Sequence, residues 1–500
     1  MTNAYDFFTR DAMSRPGRPF LETADGRVYT YGDLETETAR AAGALVALGL
    51  APGDRVAVQV EKTPEALFLY LGCLRAGLCY LPLNTAYRAG ELGYFLADAE
   101  PRAVVCAPGQ LDTFHELATA LAHRLALLTL DECGGGTWRK ALDAATPLHG
   151  CAPAGPDTLA VIIYTSGTTG RSKGAMVTHG NLTSNAAVLA DAWRFGPDDV
   201  LLHMLPFFHV HGLFVALHPV LLAGARVLFH PRFDARIALD ELPRATVMMG
   251  VPTFYVRLLA EPELSPSAAA CMRLFVSGSA PLLPDTFAQF RARTGHTILE
   301  RYGMSEAGMI TSNPYDGERR AGTVGFPLSG VSLRVRDGER DCAPGEPGVI
   351  EIRGPNVFAG YWRMPEKTRE DFTADGWFRT DDVGEWSEDG YLAVVGRAKD
   401  VVISGGFNVY PKEIELVIDA MPGVLESAVV GIAHADFGEA VTAFVVPRFG
   451  VTLSEAGVIA HVKDRLAAFK VPKRVVLVAD LPRNAMGKVQ KNALRDSLRL

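Results

Sequence analysis

The sequence has few cysteines and no pattern among them. Cys73, Cys79, Cys106, Cys133, Cys151, Cys271 and Cys342 are odd in number, scattered and never spaced as CxxC, so neither a disulfide framework nor a zinc site is expected. Surplus positive charge is missing as well: the formal net charge is −8, and no global field draws the protein to nucleic acid or an anionic membrane. Any polyanion it binds must be held by a local cradle. The opening residues, MTNAYDFFTRDAMSRPGR, contain no apolar segment with a small-residue cleavage site, so no secretory signal and a cytoplasmic location are expected. A stretch without Asp, Glu, Lys or Arg runs from Val200 to Ala225, but Pro206, Gly212, Pro219, Gly224 and four histidines interrupt it. Lipid-facing helices tolerate such breaks poorly, which favours a buried segment beside a cavity over a membrane span. Heptads, internal repeats and low-complexity tracts are absent too, which argues against fibrous and disordered classes.

What is present suits an enzyme with more than one core. The chain is 48% hydrophobic and 21% charged, with 49 glycines, and 500 residues exceed what a single core organises. LETETARAAGALVALGL carries helical periodicity, APGDRVAVQV turns into a short apolar strand, TPEALFLYLGCLRAG returns to helix and LCYLPLN to strand. The alternation recurs through ARVLFH, ATVMMGVP, MRLFVSGSAPL and HTILERYG, the mark of βαβ units and parallel sheets. Beyond Ala321, shorter apolar pieces such as VSLRVRDG and DGYLAVVGR point to antiparallel strands in a barrel or small sheet. The expected fold is α/β. Residues 1–396 form a large N-terminal domain with doubly wound sheets and a small β-barrel, and residues 397–500 a small mobile α+β domain, hinged at Gly396–Asp400.

One segment is dense in donors: YTSGTTGRSKGA, from Tyr164 to Ala175, directly after the apolar run LAVII. Glycines let a turn bring its N–H groups to an anion, hydroxyls add donors and Lys173 adds charge, so phosphate is the natural ligand. The Walker spacing is absent, because Gly167, Gly170 and Lys173 stand three apart. Taken alone, a ligand-free Gly/Ser/Thr turn explains the segment as well.

Other segments follow in order: ERYGMSE at 300–306, WFRTDD at 377–382, GRAKDVVISGGFNVYPKEIE at 396–415 and PRNAMGKVQK at 482–491. With TSGTTGRSKG they make the chain resemble, along essentially its whole length, the adenylate-forming superfamily of acyl-CoA synthetases, peptide-synthetase adenylation domains and luciferases. The resemblance implies two steps: a carboxylate attacks the α-phosphate of ATP, giving acyl-AMP and pyrophosphate, and the thiol of coenzyme A then displaces AMP. It implies that Thr165, Ser166, Gly167, Thr168, Thr169, Gly170 and Lys173 hold the phosphates, with Thr165 also catalytic. Ser279, Ala280, Tyr302, Gly303 and Ser305 then line the nucleotide, Glu306 binds Mg²⁺, and Asp382 with Arg397 holds the ribose. A carboxylate is a hard oxygen ligand suited to Mg²⁺, and carboxylate and guanidinium suit paired hydroxyls. A solvated surface carboxylate is the plain alternative for Glu306. Lys488 matches the mobile catalytic lysine, whose cation would stabilise charge developing in an in-line displacement. Lys399 matches the hinge position. Gly405 and Gly406 match the channel for the pantetheine arm, a strand-end turn being the alternative. Acetylation would remove the Lys488 charge, which makes an acetylase a candidate regulator. The chain departs from the family at Ser172, where proline is common, and at Asp381, where glycine is usual.

The acid is indicated by Arg301, directly before Tyr302 on the strand that walls the family's acyl pocket. A buried guanidinium needs a partner. Either Glu300 supplies one structurally, or the substrate brings a second negative charge. With VPTFYVRLL, FVSGSAPLL and GPNVFAGYWRMPEKT, the chain resembles the malonate-activating branch of the family, which implies malonate or methylmalonate as substrate. His209 and Met304 match acyl-pocket positions, and Arg257 is a second candidate for the distal carboxylate. The His209–x–His211 pair has no nearby acidic or cysteine ligand, so a metal role is not expected, and the resemblance makes His209 a gate of the acyl pocket or a donor to the carboxylate. Two rival readings are a stand-alone domain that loads a carrier protein and a nucleotide sensor without catalysis.

Overall fold

The computed structural model describes residues 3–165, 172–404, 407–434, 438–484 and 487–498, except the side chain of Asn408. Ser166, Gly167, Thr168, Thr169, Gly170, Gly405 and Gly406 lie outside the described residues.

Local signals start the elements. The Thr30 hydroxyl accepts from the Asp33 N–H and begins the helix Tyr31–Ala47 with a capping box. The Thr63 hydroxyl accepts from the Ala66 N–H and caps Pro64–Arg75, where Pro64 takes the first helical position. Leu34, Ala41 and Leu45 of the first helix and Leu67, Leu71 and Leu74 of the second are fully buried in one cluster. Burial of such side chains contributes about 1.5–3 kcal/mol each.

Two sheets form the large body. One has six strands in the order Ala126–Thr129, Ala103–Cys106, Arg55–Gln59, Cys79–Pro82, Leu159–Thr165 and Lys173–Thr178. The other has nine, in the order Phe326–Pro327, Gly308–Ser312, Leu299–Met304, Leu274–Ser277, Val247–Gly250, Val200–His203, Arg226–Phe229, Pro19–Thr23 and Val28–Thr30. Both are parallel inside and carry antiparallel strands at an edge: Lys173–Thr178 in the first, Gly308–Ser312 and Val28–Thr30 in the second. Ligands of such sheets gather beyond the carboxyl ends of parallel strands, and Thr165, His203, Ser277 and Met304 all end strands.

A third sheet, Arg340–Asp341, Ser332–Asp337, Gly348–Arg353, Phe378–Trp386 and Leu392–Arg397, is antiparallel throughout. It occupies the region expected to form a barrel. Arg397 still pairs with Asp382 in this sheet, and the turn Ala398–Asp400, within the expected hinge Gly396–Asp400, follows it. Beyond it, Val402–Ser404, Phe407–Val409, Val424–His434, Gly438–Pro447 and Arg474–Leu477 form the sheet of the small domain. No helix among the described residues is long and apolar enough to cross a membrane. The uncharged stretch is instead a strand, a π-helical turn His211–Val215 and a short helix Leu217–Ala223. Val210, Phe214 and His218 line a cavity beside Ser305 and Glu306.

Candidate active site

The strands Leu159–Thr165 and Lys173–Thr178 pair up to Thr165 and Lys173, so the Gly/Ser/Thr segment leaves from the carboxyl end of the first. Lys173 stands 4.3 Å over the Tyr361 ring and 3.6 Å from Asp371. Glu306, two residues past the strand Leu299–Met304, is buried, and the Tyr361 hydroxyl donates to its Oε1 at 3.4 Å. Burial raises its carboxyl above the ordinary range, with Lys173 and Arg397 opposing. Among the described residues it forms no ion pair, and no cluster of three metal-ligating side chains exists. A buried carboxylate short of a cation fits an oxygen-preferring ion that takes its remaining ligands from phosphate and water.

Asp382 and Arg397 are paired directly. Asp382 Oδ2 accepts from the Tyr302 hydroxyl at 2.6 Å and Oδ1 from Arg397 Nε at 2.9 Å. Burial and the neighbouring Asp382 raise the Tyr302 phenol. Tyr302 is itself buried in the cluster with Phe358 and Phe378, and Met304 packs against the same cluster. Gly303 lies against the Gly308 carbonyl, while Ser305 and Ala280 are half-buried.

The strand Phe378–Trp386 bulges where it presents Asp382. Glu351 pairs with Arg379 but Val349 with Val383, so residues 380–382 face a single residue of the neighbouring strand. Asp381 takes φ +60° inside this bulge. That left-handed position accounts for the glycine usual there, and Asp is among the side chains that tolerate it.

Arg301 answers the pairing question. It is 4% exposed, and among the described residues its Nε and Nη2 have no hydrogen-bond partner. Glu300 does not pair with it: adjacent strand residues point to opposite faces, and Glu300 Oε1 accepts from the Gly322 N–H at 3.2 Å. Burial pushes the Glu300 carboxyl up to about 8 and pulls Arg301 down to about 9, which leaves the guanidinium charged at neutral pH. The guanidinium lies over Gly278, where a Cβ would come within 2.3 Å of Arg301 Cζ; only glycine leaves this space. Two histidines feel the charge. Burial, then Arg301, lowers His209 to about 4 and His211 well below its ordinary value, so both rings are neutral. His209 Nδ1 accepts from the His211 N–H at 3.1 Å, which leaves the ring proton on Nε2. His211 Nδ1 lies 3.2 Å from Ser279 Oγ, and its Nε2 has no partner among the described residues.

Arg257 departs from expectation. It is exposed near the end of the helix Pro252–Ala260, two residues after Tyr255. Tyr255 points inward and donates to the Val276 carbonyl, and two helical residues turn about 200°. Arg257 therefore faces away from the Arg301 pocket. Two residues not singled out by motif belong to the site: Gly278, which seats the guanidinium, and Tyr361, which links Lys173 to Glu306; His211, noted above only as part of an HxH pair, joins them beside Ser279. The cue was present for Tyr361 in FAGYW and for His211 in HVHG, but no local pattern assigns their partners.

Lys488 is held by a short hairpin of the small domain. Arg483 bridges to Val489, pairs with Glu426 and donates to the Gly487 carbonyl, and the Lys488 N–H donates to Asn484 Oδ1 at 3.0 Å. The hairpin reaches the large body: a Cβ on Gly487 would lie 3.7 Å from Thr253. Lys488 keeps contact with solvent, yet desolvation of its ammonium, followed by Arg397 and Lys399, lowers it to about 8 against Asp382 and Asp400. Lys399, in the turn between bodies, is lowered too, by desolvation and then Arg397.

Comparison with known proteins agrees with this geometry. Residues 8–362 match the AMP-binding enzyme family and residues 413–488 the AMP-binding enzyme C-terminal domain. The crystal structure of ATP-bound MatB from Rhodopseudomonas palustris is 54% identical, with a TM-score of 0.96 over 100% of this chain and 99% of that one. Apo MatB scores 0.86 at 53% identity, over 99% of each chain. Sulfoacetate–CoA ligase of Cupriavidus necator is 37% identical over 489 residues, 96% of this chain and 95% of that protein. Malonate–CoA ligase of Arabidopsis thaliana is 33% identical over 95% of this chain and 85% of that protein. Matched along both bodies, the chain belongs to the AMP-binding enzyme family of acyl-CoA ligases.

Proposed function

We propose that the protein ligates malonate, and methylmalonate as a close analogue, to coenzyme A through malonyl-AMP. The observation that carries this is Arg301, a buried guanidinium with two unpartnered nitrogens beside the unpartnered Nε2 of His211. An isolated buried charge costs several kcal/mol, so this pocket suits an acid that brings its own distal anion. Malonate and sulfoacetate, the acids named for two relatives, are both short and carry a second acidic group.

In this reading the distal carboxylate of malonate lies on Arg301. His209, neutral with its proton on Nε2, donates to the acid without adding charge. The reacting carboxylate oxygen attacks the α-phosphorus, a new P–O bond forms, and the bond to the β-phosphate oxygen breaks with pyrophosphate leaving. Lys488 and Lys173 supply positive charge to the oxygens that accumulate it, and Thr165 with the glycine-rich segment holds the phosphates. Mg²⁺, with Glu306 as its protein ligand, would neutralise phosphate charge. Asp382 and Arg397 hold the ribose with Tyr302 beside the nucleotide. The thiol sulfur of coenzyme A then attacks the acyl carbon and AMP leaves with its oxygen; Lys399 is the pivot that turns Lys488 away and brings the 405–406 segment in.

A panel of acids tests the reading through acid-dependent pyrophosphate exchange, with ATP and Mg²⁺ and without coenzyme A. Malonate is expected to lead acetate, ferulate, indoleacetate and sulfoacetate. A monocarboxylic acid in first place would refute the role of Arg301.

A further inference from the structure

Outside the residues the reaction uses, one buried cation joins the two large sheets. Lys62 lies between the strand Arg55–Gln59 and the helix Pro64–Arg75, on the six-stranded side. Its side chain crosses to the nine-stranded side, where Nζ lies 2.8 Å from His203 Nδ1, 2.9 Å from the His203 carbonyl and 2.5 Å from the His230 carbonyl. It also stands 4.5 Å from the Phe229 ring centroid and 5.3 Å from that of Phe207. Burial pulls the amine well down, but only the ammonium has three protons for three acceptors.

These contacts set a direction. His203 Nδ1 accepts from Lys62, so the neutral ring carries its proton on Nε2, and that N–H donates to the Gly212 carbonyl at 2.8 Å. Gly212 belongs to the π-helical turn His211–Val215, a conformation that is rare and needs tertiary support. Its α-carbon also presses on the Pro206 carbonyl, where a Cβ would come within 2.1 Å. Held at Pro206 and at Gly212, the intervening chain presents His209 and His211 to Arg301.

We propose that Lys62 is a positioning residue of the acyl pocket: through His203 it fixes the Gly212 carbonyl, and with it the turn that holds His209 and His211 beside Arg301. The proposal rests on reading that pocket as the site of the acid. A lysine that merely joined the two sheets would affect the acid and ATP alike, whereas this one acts on the acid.

The test is steady-state kinetics on three variants of the full chain, each assayed well below its own melting temperature. Lys62→Met keeps the stem and the ring contacts but not the donors. His203→Leu breaks the relay, and His203→Gln retains an acceptor towards Lys62 and a donor towards Gly212. Lys62→Met and His203→Leu are expected to raise KM for malonate about tenfold and to lower the malonate-to-acetate ratio of kcat/KM, with KM for ATP within about twofold. His203→Gln is expected to recover most of the loss. Equal rises in both KM values, no change in either, or His203→Gln as poor as His203→Leu would overturn the proposal. Should Lys62→Met not fold, the His203 pair decides alone. If the wild-type enzyme prefers another acid, that acid replaces malonate in these assays, so a wrong substrate shows in the wild type and a wrong role for Lys62 only in the variants.

Discussion

The nucleotide half and the acyl half of the site treat buried charge in opposite ways. Asp382 has both oxygens occupied, one by the Tyr302 hydroxyl and one by Arg397. Arg301, on the same strand as Tyr302, has two nitrogens with no partner among the described residues. A satisfied pair organises itself before any ligand arrives. An unsatisfied guanidinium is stable only because the surrounding fold holds it, and it gains most when an anion enters. Under the function proposed above, the nucleotide half would be preorganised for a ligand common to the whole family, while the acyl half would select by leaving a charge for the substrate to meet.

The largest effect should come where the halves meet. Lys488→Ala is expected to lower adenylation by roughly a hundredfold to a thousandfold in pyrophosphate exchange, with little change in melting temperature. Because Lys488 is lowered to about 8 and acts as a cation, kcat/KM should fall as pH rises through about 8, and Lys488→Arg should carry that alkaline limb upward. A limb that stays put in the Arg variant would assign it to another group.

Arg301→Leu should break the acyl half alone: malonate kcat/KM falls about a hundredfold, corresponding to about 3 kcal/mol, while acetate changes severalfold at most. Equal losses for both acids would remove the contrast between halves. Asp382→Asn should do the reverse, raising KM for ATP about tenfold and leaving KM for malonate in place. The smallest effect tests the bulge. Asp381→Gly should relieve a left-handed aspartate and raise the stability slightly, by under about 1 kcal/mol, read as a small rise in melting temperature, because glycine's greater unfolded-state entropy offsets part of the relief. A clear fall in melting temperature would show that the Asp381 carboxylate makes a stabilising contact.

Much of the architecture was legible locally. Short apolar runs such as ESAVVGI and AVTAFVVP became strands, and the capped segments after Thr30 and Thr63 became helices, because these patterns depend on neighbours a few residues apart. Thr165, Lys173, Glu306, Asp382, Arg397 and Lys488 could be picked out as a set because their motifs follow one another in a fixed order. The fate of each side chain was less legible. Arg257 and Arg301 read alike as candidate contacts, yet helix phase turns one to solvent and strand pleat buries the other.

Residue order alone thus determined which secondary structures form and which chemical groups are available, since propensity, capping and alternation act over short distances. Tertiary structure decided which charges are answered. Whether Glu300 or a ligand meets Arg301, whether Asp381 can sit in a bulge, and whether Lys62 finds His203 far along the chain depend on acceptors brought in by other strands. The free energy of a buried charge is set by what surrounds it in space.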